Sequence, residues 1–299
     1  MTSNPDSDLA AVVRKPESEA TIAALQDEGV YDVTRKVRER GWTDEEVERA
    51  PGSWAVVGDV VLVTFGEEEI DREAVGDALL DLHREADTVL AHEGVSGEHR
   101  EPEVSVVAGE GDTETVHTEH GTRYALDFSE VMFSPGNKAE RARMGEVVES
   151  DERVFDMFAG IGYFTLPMAR AGAEVTATEK NPAAFQYLIE NAMLNDVSER
   201  FSAFRADCRD VDVDPRADRV VMGYYESHEY LDSALAALKP GGVVHMHEAT
   251  PEDLLWDRPV SRLEDAAEEA GRAVEILDRR KVKSHSEGVW HVVVDARVE

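Results

Sequence analysis

Cysteine is almost absent from this chain of 299 residues, and lysine is scarce. The single cysteine, Cys208, excludes an intramolecular disulfide and a zinc site built from several cysteines. Lysine supplies only seven of the 31 basic residues, and 64 acidic residues bring the formal net charge to -33. Long apolar runs are missing too. The longest apolar stretch, from 54 to 65, is short and is interrupted by Gly58 and Asp59. No segment therefore has the length that a membrane-spanning helix requires.

The acidic excess is spread evenly along the chain, and arginine is favoured over lysine. This pattern is typical of proteins from salt-accumulating halophiles, where carboxylates keep the surface hydrated and concentrated cations screen their repulsion. An acidic tail is the alternative, but no long acidic block is present. The charge does not exclude a nucleic-acid partner, because a local arginine cluster can contact phosphates when salt screens the rest.

The first residues, Met1 to Asp8, lack a basic flank followed by an apolar core. We therefore expect a soluble, cytoplasmic protein without a membrane partner. The sequence does not reveal the oligomeric state, and a monomer is the working expectation.

The first part of the chain predicts a small α+β domain over residues 1–128. Its predicted helices cover 17–28 and 70–90, and its predicted strands cover 10–14, 54–65 (as a pair), 104–107, 114–118 and 123–127.

Strands and helices alternate regularly over residues 129–299. The predicted strands cover 153–158, 174–178, 201–206, 219–223, 243–247, 274–282 and 288–298, and the predicted helices cover 138–148, 163–171, 182–195, 231–238 and 260–270. This alternation predicts an α/β fold with a doubly wound parallel sheet, to which the last two strands add an antiparallel hairpin.

A glycine-rich turn follows the first strand of this second region. An apolar strand runs into Gly160-Ile-Gly162 and then directly into a helical pattern, and Glu179 closes the next strand. Glycines let the backbone approach a ligand closely, and an acidic residue at that place accepts hydrogen bonds from a ribose diol. The dinucleotide fingerprint requires a third glycine where this chain has Thr165. S-adenosylmethionine (SAM), which has no pyrophosphate, therefore fits better than NAD.

Residues 150–299 resemble a class I SAM-dependent methyltransferase domain, which has a Rossmann-like sheet. The resemblance implies that the residues after each strand hold SAM. Phe158, Ala159, Gly160 and Gly162 would contact its methionine and ribose portions, Glu179 its ribose hydroxyls, and Asp207 with Cys208 its adenine; Gly223, after the fourth strand, completes the predicted set. As alternatives, Asp207 caps the next turn and Cys208 is a small buried apolar residue.

Two further segments, Val131–Met144 and Lys281–Asp295, are similar to signatures of the tRNA position-37 enzymes. That family joins guanine N1-methyltransferases to the aminocarboxypropyltransferases of wybutosine biosynthesis. The resemblance implies that Ser134 and Arg141 contact the cofactor, and an arginine fork suits a carboxylate. A solvated helical face is the alternative for Arg141 and its neighbours Glu140 and Arg143.

Two departures separate the branches of this family. The guanine N1-methyltransferases carry arginine after their Phe-Ser-Pro triplet and an asparagine-proline motif after the fourth strand. This chain has Gly136-Asn137 and Met222-Gly-Tyr-Tyr-Glu226 at those places. Both differences favour the aminocarboxypropyltransferase branch, and a tRNA (guanine-37-N1)-methyltransferase is the alternative.

The resemblance implies a SAM-dependent transferase that acts on position 37 in the anticodon loop of phenylalanine tRNA. A 4-demethylwyosine base would attack the γ-methylene of the methionine arm, and 5′-methylthioadenosine would leave. Asn137, Tyr224 and Tyr225 are the predicted catalytic residues, the tyrosines by stacking on the base, although core packing is an equal alternative for one of them. Neither a metal nor a covalent nucleophile is required. A SAM-binding RNA partner without catalysis is the alternative from another class.

Other charged or metal-ligating residues have less specific patterns. His245 and His247 share one face of a strand, but two ligands do not make a zinc site, so no metal is expected. The predicted phosphate contacts are Arg35, Lys36, Arg38, Arg40, Arg141, Arg143, Arg279, Arg280, Lys281 and Lys283. A charged surface helix is the alternative for the first four.

Overall fold

The structure, a computed structural model, describes residues 33–66 and 69–299. The strand predicted over 10–14 and the helix predicted over 17–28 lie outside the described residues. In the described part, no helix is both long enough and apolar enough to cross a bilayer.

The first part of the chain forms a four-stranded sheet and a separate hairpin. Its helices are α1 (33–39), α2 (Asp44–Glu48) and α3 (Arg72–Leu82), and its strands are β1 (Trp54–Val57), β2 (Val60–Val63), β3 (Thr88–Ser96), β4 (Glu101–Gly109), β5 (Glu114–Glu119) and β6 (Thr122–Asp127). The sheet has the order β1-β2-β3-β4, and β2 and β3 run parallel. β5 and β6 pair only with each other.

The strand pair predicted over 54–65 is confirmed, but the helix predicted over 70–90 is wrong in its second half. The helix ends at Leu82, and Thr88 begins a strand that pairs with β2. Val89 and Leu90 are buried in that strand. A short buried apolar run fits either a strand or a helix, so periodicity alone does not decide between them.

The second part of the chain forms a seven-stranded sheet with helices. The helices are α4 (Lys138–Val147), α5 (Thr165–Arg170), α6 (Pro182–Leu194), α7 (Leu231–Ala237) and α8 (Asp257–Glu269), and the strands are β7 (Arg153–Asp156), β8 (Glu174–Thr178), β9 (Phe201–Phe204), β10 (Ala217–Met222), β11 (Leu238–Pro251), β12 (Val274–Ser286) and β13 (Val289–Val298). The sheet order is β12-β13-β11-β10-β7-β8-β9; β13 pairs antiparallel with both β12 and β11, and the remaining pairs are parallel. The predicted α/β class and the final hairpin are confirmed.

The carboxyl ends of the parallel strands face one edge of this sheet, where local sequence fixes the loops that follow. After β8, the side chain of Asn181 accepts the N–H groups of Ala183 and Ala184, and Pro182 occupies the first position of α6. Both features favour a helix start at this point. Glu179 therefore lies between the end of a strand and a fixed helix N-terminus.

The β5–β6 hairpin packs on the larger sheet through α6. The amide of buried Asn191 donates to the carbonyls of Ala125 and Ile161, both at 3.0 Å, and its oxygen accepts the Ala125 N–H at 2.6 Å. Leu126 and Phe128 share an apolar cluster with Ile161. The hairpin thus contacts the second part of the chain directly, while a domain boundary at 128/129 stays a prediction.

We predict that Asn191→Ala lowers the free energy of unfolding by roughly 2–4 kcal/mol, because it leaves buried backbone groups without partners. Chemical denaturation in concentrated KCl measures this loss. Met193→Ala is the control on the same helix, since Met193 is 67% exposed and should change stability little. Equal stability of the two variants would contradict the role of Asn191.

Candidate active site

A cleft opens at the carboxyl edge of the larger sheet. It is lined by the segments that follow β7, β8, β9 and β10, by residues around the start of α4, and by Glu98, His99 and Arg100 from the first part of the chain. Its volume is about 1260 Å³ including the open mouth.

The structure brings most of the predicted site residues together in this cleft. Ala159 and Gly162 are the exceptions: Ala159 is buried, and a Cβ at Gly162 would lie 2.7 Å from Leu166, so both face the core. The predicted residues that line the cleft are Ser134, Asn137, Arg141, Phe158, Gly160, Glu179, Asp207, Cys208, Gly223, Tyr224 and Tyr225.

The glycine-rich turn and Glu179 form one hydrogen-bonded unit. Gly160 has a φ of 56°, and a Cβ there would lie 2.3 Å from the ring of Tyr163. Its N–H donates to one carboxylate oxygen of Glu179 at 2.8 Å, and the N–H of Asn181 donates to the other at 2.7 Å. Burial raises the pKa of Glu179 in spite of these bonds. The backbone therefore holds this carboxylate at the floor of the cleft.

Asp156, which was not among the predicted site residues, holds the glycine-rich turn through hydrogen bonds. It is fully buried, and it accepts the Thr165 hydroxyl at 2.7 Å and the Phe158 N–H at 3.4 Å. Burial raises the pKa of Asp156 to about 6. An acidic residue at the end of the strand before the glycines was the available signal in the sequence.

Asp207 and Cys208 border the cleft after β9. Asp207 accepts the N–H of Arg209 at 3.0 Å and its guanidinium at 2.6 and 2.8 Å, and these bonds from Arg209 lower the pKa of Asp207 to about 2. Burial raises the pKa of the Cys208 thiol to about 12. Asp207 therefore caps the next turn, as the alternative predicted, while it also lines the cleft.

Tyr224 and Tyr225 form an aromatic wall after β10. The ring of Tyr224 lies 5.2 Å from that of Phe158, and the ring of Tyr225 meets His285 and His291 edge-on at 4.6 and 4.9 Å. The Arg100 guanidinium lies 6.0 Å from one tyrosine ring and 5.7 Å from the other. Aromatic faces beside a cation suit the stacking of a nucleobase.

Arg141 is buried in an ion pair with Glu119. Its Nε and Nη2 donate to the two oxygens of Glu119 at 2.7 and 2.8 Å, and its Nη1 donates to the Ser134 carbonyl at 2.9 Å. Burial acts to raise the pKa of Glu119, but hydrogen bonds from His117 and Arg141 outweigh it and lower this pKa to about 2. Since Glu140 and Arg141 are both buried, a solvated face is wrong for them.

Several of the predicted phosphate contacts are instead paired with carboxylates. Arg143 and Arg280 both bond Asp295, and Arg280 also bonds Glu140, so both half-buried cations already have acidic partners. The four cations near α1 lie within 3.5 Å of carboxylates in the pairs Arg35–Glu39, Lys36–Asp81, Arg38–Asp44 and Arg40–Asp77.

The strand histidines are buried and bonded to other side chains. His245 bonds Asp295 at 2.6 Å, and His247 lies 3.0 Å from His291, which lines the cleft. Burial lowers the pKa of His247 to about 3 and that of His291 to about 2. Over residues 33–66 and 69–299, no group of three or more His, Cys, Asp or Glu side chains could hold a metal ion.

Comparisons with known proteins match nearly the whole described chain. The profile described as TYW2 N-terminal domain matches residues 34–113, and the profile described as TRM5/TYW2 methyltransferase domain matches residues 115–277.

Three curated relatives illustrate both branches of this group. The chain is 39% identical over 279 residues to the tRNA(Phe) (4-demethylwyosine(37)-C(7)) aminocarboxypropyltransferase of Pyrococcus horikoshii, covering 92% of this chain and 99% of the relative. It is 41% identical to the protein of the same name from Methanocaldococcus jannaschii, covering 81% and 96%. Identity to the tRNA (guanine(37)-N(1))-methyltransferase Trm5b of Pyrococcus abyssi is 33%, covering 83% and 75%.

Solved structures that are similar to this chain include proteins from the same two organisms, P. horikoshii and M. jannaschii. P. horikoshii TYW2 in complex with MeSAdo has a TM-score of 0.77 and 38% identity, and covers 89% of this chain and 97% of that one. M. jannaschii TYW2 in complex with AdoMet has a TM-score of 0.65 and 38% identity, and covers 83% and 99%.

We predict that buried, neutral His247 makes the protein less stable as the pH falls. An unfolded histidine takes up a proton near pH 6.5, while folded His247 stays neutral until about pH 3. Between about pH 7.5 and about pH 5.5, the wild type should lose about 1.4 kcal/mol more of its unfolding free energy than His247→Met does.

Denaturation curves at the two pH values measure this difference. His120→Asn is the control, because His120 is exposed in a turn and the variant should keep the pH dependence of the wild type. Parallel pH profiles for wild type and His247→Met would show that His247 is not held neutral.

Proposed function

The chain belongs to the TRM5/TYW2 family, and on that premise we propose that it transfers the 3-amino-3-carboxypropyl group of SAM to 4-demethylwyosine at position 37 of tRNA(Phe). The observation that carries the proposal is the match to two aminocarboxypropyltransferases over 99% and 96% of their lengths, at 39% and 41% identity. Gly136-Asn137 and Met222–Glu226, which separate the two branches of the family, support the same activity.

The residues of the cleft fit SAM. Gly160 leaves a cradle that a Cβ would fill, since that atom would overlap Tyr163. Glu179 offers a carboxylate to the ribose hydroxyls, and Asp207 with Cys208 borders the space for adenine. When bound, SAM supplies carbons that are activated by the neighbouring sulfonium, so the protein needs mainly to orient the reactants.

Three residues are proposed to orient the base. Tyr224 and Tyr225 offer ring faces beside the Arg100 cation, which suits a flat tricyclic base. The side-chain oxygen of Asn137 is buried, lies beside the cleft and has no partner among the described residues, so it is available to accept a hydrogen bond from a ligand.

Residues 1–128 are proposed to dock tRNA, and residues 129–299 to hold SAM. The first part also supplies part of the cleft, since Glu98 bonds Lys180 at 3.1 Å and the His99 carbonyl accepts from Asn181 at 3.2 Å. Docked RNA and bound SAM would therefore meet at the same wall of the cleft.

A double-label experiment tests the transferred group. SAM labelled in the methyl group and SAM labelled in the carboxyl group are incubated separately, at high salt, with tRNA(Phe) carrying the tricyclic base. We expect carboxyl label in the RNA and an equal amount of methylthioadenosine. Methyl label in the RNA, with S-adenosylhomocysteine released, would assign the chain to methylation, and tRNA binding without either label would indicate a non-catalytic partner.

We predict that Tyr225→Leu lowers kcat/KM for the tRNA by roughly 10- to 100-fold, since stacking of one base contributes roughly 1–3 kcal/mol. Steady-state kinetics with varied tRNA measures the change, and calorimetry should find SAM binding retained. Tyr225→Phe keeps the ring and is the matched control with near wild-type kcat/KM. A loss of the same size in Tyr225→Phe would contradict a stacking role.

A further inference from the structure

Lys283 is a half-buried cation with no acidic partner among the residues that the structure describes. Its ammonium donates to the hydroxyl of Ser134, which lines the cleft. No carboxylate in the described part of the chain lies within 4.0 Å of it, although acidic residues outnumber basic ones 64 to 31. Lys281, on the same strand, bonds Glu252 at 3.5 Å and lies over Trp290. An acidic side chain therefore pairs with the neighbouring Lys281, whereas none in the described part of the chain pairs with Lys283.

Gly136 makes room for Lys283. A Cβ at Gly136 would lie 2.9 Å from Cδ of Lys283, so the lysine side chain would have to shift, while its Nζ would lie at an ordinary contact distance of 3.8 Å. Gly136 does not have a positive φ, so its backbone conformation does not require glycine. Because Gly136 has no side chain, the Lys283 side chain can extend past it and reach Ser134.

Two arginines make the surroundings of Lys283 still more positive. Burial lowers the pKa of Lys283, and the charges of Arg141 and Arg100 lower it further. Arg141 already has Glu119 as a partner, whereas the Arg100 side chain lies against the sulfur of Met132 and the two tyrosine rings and has no carboxylate partner among the described residues. An anion beside Ser134 would compensate this cluster of cations.

We propose that Lys283, admitted by Gly136 and held by Ser134, binds the α-carboxylate of the methionine arm of SAM. The inference rests on the proposed function only in taking SAM as the co-substrate. The carboxylate is the sole anionic group of SAM. Glu179 and Asp207, which follow β8 and β9, would repel an anion, whereas Lys283 and Arg141 both bond Ser134, so the basic cluster around Ser134 is the place for it.

Calorimetry without RNA tests this assignment with SAM and with decarboxylated SAM, which lacks only the carboxylate. We expect Lys283→Met to weaken SAM binding roughly 10- to 100-fold, as for a lost hydrogen bond between charged groups. The affinity for decarboxylated SAM should stay within about twofold of wild type, and Gly136→Ala should show the same selectivity with a smaller loss. Lys239→Met is the control, because Lys239 bonds Asp218 away from the cleft and should leave both affinities unchanged.

Two results would overturn the proposal. Equal weakening of both ligands by Lys283→Met would mean that the lysine only supports the fold, which denaturation curves would also register. Unchanged SAM affinity in Lys283→Met would also overturn it, and weaker binding of tRNA in a separate titration would then assign Lys283 to a backbone phosphate. Since no transfer is measured, these outcomes do not depend on which group the label experiment finds in the RNA.

Discussion

The buried ion pair between Glu119 and Arg141 is the interaction on which the cleft depends. Glu119 ends a strand of the small hairpin and Arg141 lies in α4, so the pair joins the two parts of the chain. Removing one partner would leave a buried charge uncompensated, at a cost of roughly 3–5 kcal/mol. Arg141 also bonds the carbonyl of Ser134 and lies 4.8 Å from the ring of Phe133. One charged contact therefore fixes the hairpin, the start of α4 and one wall of the cleft.

The acidic and basic residues of the cleft come from different segments of the chain. Glu179 and Asp207 follow β8 and β9, whereas Arg141 bonds the carbonyl of Ser134 and Arg100 lies against Met132. SAM has the complementary arrangement, with hydroxyl donors on its ribose and a carboxylate at the other end. Such a local cluster of cations would let a protein with a formal charge of -33 hold the carboxylate that we propose at Ser134.

The sequence predicted the parallel sheet and the gathering of most candidate site residues in one cleft, because both depend on local patterns. Strand ends followed by glycine or acidic residues specify where loops meet in a parallel sheet, and this placed Gly160, Glu179 and Asp207 at one edge. The partners of Arg141 and Lys283 could not be predicted, since they come from 22 and 149 residues away in the chain. The strand at Thr88 was missed for a similar reason, because its pairing with β2 overrides local periodicity.

The mass of the nucleoside at position 37 tests the central claim most directly. Two tRNA(Phe) substrates, one with 4-demethylwyosine and one with unmodified guanosine, are treated with the protein and SAM, digested, and analysed by mass spectrometry. The account predicts that the tricyclic nucleoside gains the mass of one aminocarboxypropyl group and that guanosine gains nothing. A guanosine that gains one methyl group, beside an unchanged tricyclic nucleoside, would contradict it.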